Sequence, residues 1–70
     1  MMPLGYAVIG EDNIIKKVGG NAEIKRHLED LGFTAGGSVR VITENAGNLI
    51  VNIKESRIAI SREMAMKIMI

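Results

Sequence analysis

A single histidine, His27, stands four residues after Glu23. On a helix that spacing puts an imidazole and a carboxylate on one face, where the two could share a metal ion. Two ligands do not make a metal centre, and no third follows at a matching spacing. His27 therefore reads as a solvent-facing helix residue. The hydroxyls of Thr34, Ser38, Thr43, Ser56 and Ser61 fall in turns, strands or a cap, with no neighbouring imidazole to activate them as nucleophiles. The chain has no Cys, which removes thiolate catalysis, thiolate metal sites and disulfides together. Met64, Met66 and Met69 lie in an aliphatic tail, where flexible thioethers serve as packing filler rather than soft-metal ligands. Gly36-Gly37 precedes a strand-like run, whereas phosphate loops lead into a helix N-terminus. No catalytic, cofactor-binding or metal-ligating set assembles, and the reading is of a protein that is not an enzyme.

Composition narrows the remaining classes. Nine Lys and Arg against eight Asp and Glu give a net charge of +1, with the signs interleaved rather than blocked, so a nucleic-acid footprint is not indicated. Tyr6 and Phe33 are the only aromatics, too few for a stacking platform or a polyproline groove. No apolar run is long enough to span a bilayer, and the start MMPLGYAV has no basic segment followed by a long apolar one; the expected location is the cytoplasm. Hydrophobic residues make up 47% of a chain of only 70 residues, expected to form a single domain over 1–70. A domain near this size buries roughly 60% of its unfolded surface, so some aliphatic surface should stay exposed; scattered singly it means nothing, but gathered in a patch it suggests a protein partner or weak self-association.

The elements that would position these residues follow from periodicity and punctuation. Tyr6-Ala-Val-Ile and Ile14-Ile-Lys-Lys-Val are short β-branched runs around the turn-like Gly10-Glu-Asp-Asn13, and they predict two strands. Asn21 is an N-cap, and Ile24, Leu28 and Leu31 recur at helical spacing, predicting one amphipathic helix over residues 21–31. Lys25 with Glu29 and Arg26 with Asp30 place opposite charges four apart on its wet face. With Leu31 as C-cap, Gly32 takes the left-handed position after the helix, and Phe33 should fold back over Leu28. Val39–Glu44 and Leu49–Lys54 predict a hairpin. Side-chain parity favours a three-residue loop, Asn45 to Gly47, which pairs Val41 with Val51, Val39 with Ile53 and, on the outer face, Ile42 with Ile50. Ile58-Ala-Ile60 predicts a further strand, Ser61 caps a short helical turn over 61–66, and Lys67–Ile70 predicts a closing strand that can pair with the first. The sum is an all-β fold with small helical insertions, a strongly bent barrel with one helix packed against it.

The order of these segments resembles a known family. Leu31-Gly-Phe33, then Gly36-x-x-Val-Arg-Val, Ile50-Val-x-Ile, Arg57-Ile-Ala-Ile-Ser-Arg-Glu-Met-Ala and Ile68-Met-Ile70 are similar to the FeoA domain over most of the chain. The corner Leu31–Val41 and the segment Ile58–Ala65 carry most of the likeness. The chain departs from the family pattern at Ala35, where a Pro usually precedes the Gly, and at Asn45-Ala-Gly-Asn-Leu49, where the hairpin usually holds a Pro-x-Gly-x-Pro run. The resemblance implies an SH3-like barrel of about five strands, related to the C-terminal domains of iron-dependent repressors. It further implies a small cytoplasmic accessory of ferrous iron transport that needs no cofactor of its own and docks onto the GTP-binding region of the FeoB-type transporter. Leu28, Leu31 and Phe33 at the helix corner, and Ile42 with Ile50 on the hairpin, are the expected contact residues. The other reading kept open is a stand-alone repressor-type barrel domain acting in metal-linked regulation or as a divergent interaction module.

Overall fold

A computed structural model describes residues 1–70. Six short strands and two helices follow one another as β1 (Asp12–Ile14), β2 (Lys17–Val18), α1 (Ala22–Asp30), β3 (Ser38–Asn45), β4 (Asn48–Ile53), β5 (Ser56–Ser61), α2 (Arg62–Ala65) and β6 (Ile68–Met69), after a 3-10 turn at Leu4–Tyr6. β1-β3-β4-β5 form one antiparallel sheet, and β2-β6 form a second. The predicted strand Ile14–Val18 is divided between them, because the Ile15 amide donates to Gly37 in the first sheet and the next amide, Lys16, donates to Met69 in the second. One strand turning from sheet to sheet is how a small barrel makes its corner. The chain ends do pair: the Met2 amide donates to Ile70 at 3.0 Å and the Ile70 amide to Met2 at 2.8 Å.

The helix forms as its sequence dictates. Asn21 Oδ1 accepts from the Ile24 amide at 2.8 Å, and Leu28 is buried while Ile24 and Leu31 are half-buried against the core. At the other end Gly32 has a φ of +111°, its amide donates to Glu29 at 2.9 Å, and the Phe33 amide donates to Leu28 at 3.0 Å. These two bonds are the paired closure of a Schellman cap, and they satisfy carbonyls that the helix itself cannot. Leu28 and Phe33 both join the continuous core with Leu4, Ile15, Val39, Val51, Ile53 and Ile68. Ser61 repeats the capping device at α2, its Oγ accepting from the Met64 amide at 3.1 Å. The two predicted ion pairs on α1 do not close; the salt bridges of the fold are Asp12–Arg40 and Glu44–Arg62.

Two local expectations are corrected. Tyr6–Ile9 is not a strand: Leu4 is buried and begins the 3-10 turn, and an added Cβ on Gly5 would lie 2.7 Å from Met66 Sδ, so close packing on α2 overrides the β-branched run that follows. Val8 and Ile9 are left outside, and the turn expected at Gly10–Asn13 comes earlier, with the Glu11 amide reaching Val8. In the hairpin, Val39 does pair with Ile53 and Val41 with Val51, but Asn45 pairs with Asn48, leaving a two-residue loop. Ala46 at φ 52° and Gly47 at φ 81° give it the left-handed pair of a type I′ turn. The extra residue that parity demands sits instead as a bulge between Val41 and Thr43, so Ile50 faces Thr43 rather than Ile42.

Candidate functional site

Leu28 and Phe33 have no exposed surface, so they shape the corner from inside and cannot themselves meet a partner. Leu31 is half-buried beside them and is the part of the helix corner that reaches the outside. Ile42, the bulge residue, and Ile50, an outward position of β4, are also half-buried. The structure thus separates the five expected contact residues into two core residues and three that keep some surface.

The larger exposed apolar side chains lie elsewhere. Tyr6, Val8, Ile9 and Ile14 are each more than half exposed, and with Met1 and Met2 they place all the large exposed hydrophobics within the first fourteen residues. The Gly10 amide donates to the Val41 carbonyl at 2.9 Å, which brings Val8–Gly10 to the bulged end of β3 and so to Ile42. Ile14 stands at the opposite end of the same sheet, across from Ser38. Sequence reasoning passed over these residues because it folded Tyr6–Ile9 into the barrel as a strand, where alternate side chains would have been covered. The lone Pro3 ahead of Leu4-Gly5 was the available signal for a turn at that place.

Between the two apolar ends, the outer face of the sheet is polar. Its register aligns Asp12, Arg40, Asn52 and Arg57 in one row across four strands. Arg40 donates through Nε to Asp12 Oδ1 at 2.8 Å and through Nη2 to Asp12 Oδ2 at 2.9 Å. These hydrogen bonds, with the attraction of opposite charges, hold the Asp12 carboxyl below its ordinary pKa and the Arg40 guanidinium above its own. Arg57 Nε donates to Asn52 Oδ1 at 3.3 Å. Asp12, Ser38, Arg40, Asn52 and Lys54 line a shallow cleft of about 430 Å³ with no hydrophobic wall.

The glycine corner is chemically spent. The Gly36 amide donates to Ile15 at 2.7 Å and the Gly37 amide to Thr34 at 3.0 Å, so neither N–H is left to cradle a phosphate. His27 and Glu23 are exposed on α1, and no trio of His, Asp or Glu side chains gathers anywhere in the fold. No helix is long and apolar enough to cross a membrane.

The overall fold is shared with solved structures. Stenotrophomonas maltophilia FeoA complexed with zinc, described as a prokaryotic SH3 domain protein, superposes with a TM-score of 0.85 at 24% identity, covering 99% of this chain and 88% of that one. A manganese-dependent transcriptional repressor superposes at a TM-score of 0.84 and 17% identity, but this chain spans only 38% of it. The first likeness establishes the SH3-like fold, and the second shows that a domain of the repressor shares it. In sequence, the "Putative Fe(2+) transport protein A" of Methanocaldococcus jannaschii is 39% identical over 70 residues, all of this chain and 85% of the relative. The FeoA domain matches residues 2–70. With a helix corner, hairpin and closing strand that follow the family's order, the chain belongs to the FeoA domain family of small, non-catalytic accessory proteins.

Proposed function

We propose that this FeoA-family accessory of ferrous iron transport acts in the cytoplasm by docking onto the GTP-binding region of a FeoB-type transporter. The observation that carries the reading is the exposure of Val8 and Ile9 beside the bulged end of β3, next to half-buried Ile42 and Ile50, and of Ile14 at the opposite end of the sheet. Gathered in this way rather than scattered singly, they form a surface that suits a protein partner. Leu31 supplies a third contact at the helix corner, while Leu28 and Phe33 hold that corner in shape from within. The test is an NMR titration with the isolated GTP-binding domain of the cognate transporter, with and without nucleotide. Docking predicts shifts at Ile9, Ile14, Leu31, Ile42 and Ile50; their absence at high domain concentration refutes it.

A second reading is supported by the repressor whose domain shares this fold. There the chain would serve metal-linked regulation beside a separate DNA-binding protein, since a helix-turn-helix has no place among these elements. Co-purification with such a regulator, and not with the transporter, would favour it.

A further inference from the structure

We infer that the polar cleft on the outer sheet face is a binding site for an acidic, carboxylate-rich segment of a protein partner. The inference goes beyond the docking reading and does not depend on which partner carries the segment.

Charge and partnership on that face are unequal. Its cations are Arg40, Lys54 and Arg57, and its one acid is Asp12. Asp12 is fully engaged, both carboxylate oxygens being held by Arg40, so it neutralises one guanidinium and no more. Lys54 has no acidic partner, and Arg57 has only the amide oxygen of Asn52. Glu55, next along the turn, and Arg57 both lie outside the cleft lining, but Arg57 is tied to it through its bond to Asn52. One uncompensated cation, Lys54, therefore lines the cleft and a second, Arg57, stands beside it at Asn52, with Ser38, Asn52 and the free side of the Arg40 fork as further donors. A guanidinium already fixed by a carboxylate is ready to accept a second one in its plane.

The backbone of Lys54 makes the conclusion testable. Lys54 has a φ of 54° at the β4–β5 turn, where Ile53 pairs with Ser56. Glycine fits that conformation freely and lysine is strained in it. Replacing Lys54 by glycine would therefore relieve the backbone while removing the one unpaired ammonium that lines the cleft.

The ligand chemistry follows from the shape. The cleft is open to solvent, so one small anion would compete poorly with water, whereas a segment bearing several carboxylates engages Arg40, Lys54 and the neighbouring Arg57 together. A nucleic-acid strand fits worse, since no aromatic side chain lies on this face to stack a base.

The probe is hexaglutamate peptide, titrated into the labelled protein at low ionic strength, with inorganic phosphate as a parallel arm. The expected result is saturable shifts centred on Ser38, Arg40, Asn52, Lys54 and Arg57 that fade with added salt. Lys54→Gly should cut the affinity by about threefold or more while the protein becomes more stable, a pairing that a purely structural lysine would not produce. Equal shifts at Lys16, Lys17, Lys25 or Arg26, phosphate binding as tightly as the peptide, or undiminished affinity in Lys54→Gly would each overturn the proposal. Because the probe is not the transporter, a failed titration with the GTP-binding domain leaves this result standing.

Discussion

The Phe33 amide donates to the Leu28 carbonyl at 3.0 Å, five residues back along the chain, and the bond closes only because Gly32 between them holds a φ of +111°. An added Cβ on Gly32 would meet Ile53 at 3.9 Å, an ordinary contact. Space is therefore not the constraint; backbone conformation is. Gly32→Ala should destabilise the fold by about 1 kcal/mol or more, read as a lower urea midpoint with an unchanged slope. Unaltered stability would show that the cap does not hold the corner.

Leu28 separates a core residue from a contact residue. Leu28→Ala opens a cavity among side chains with no exposure and should cost about 2–5 kcal/mol. Ile50→Ala, on the half-covered outer face, should cost about 1 kcal/mol or less and should weaken docking onto the transporter domain instead. Thermal melts and binding titrations on the two variants distinguish these outcomes.

Ala46 occupies a left-handed position at φ 52° without the residue that favours it. Ala46→Asn creates the Asn-Gly pair preferred in type I′ turns and should stabilise the protein by about 0.5–1 kcal/mol. A variant less stable than the parent would mean that the turn is of another kind.

The pH dependence of the Asp12–Arg40 pair has a definite sign. The folded pKa of Asp12 lies below its unfolded value, so the stabilisation is complete above the unfolded value and disappears as pH falls through the folded one. Carbon-detected NMR should place the Asp12 midpoint below that of an unstructured aspartate. In Arg40→Gln it should rise towards the unstructured value, and the stability difference between the two proteins should vanish in acid.

How much of this was legible in the chain depends on the range of the interaction. Asn21, Ser61 and Gly32 act on atoms within five residues of themselves, so their roles could be read directly. The hairpin was legible by half: Val39, Val41, Val51 and Ile53 had to share a face, which required one extra residue, but parity says nothing of where it goes. The fold puts it at Ile42 and keeps the turn tight. Tyr6–Ile9 was misread because its conformation is decided by Leu4 entering the core and by Gly5 meeting Met66, contacts from the other end of the chain. The cleft stayed hidden for the same reason, since Asp12, Arg40, Asn52 and Arg57 are adjacent only through the register of four strands.

The mutual hydrogen bonds of Met2 and Ile70 have a practical meaning. A backbone whose two ends lie side by side is close to a ring. A short linker could join them, and the exposed Ala46-Gly47 turn offers a place to reopen the circle, giving a permuted protein with the same sheet order and a new start at Asn48.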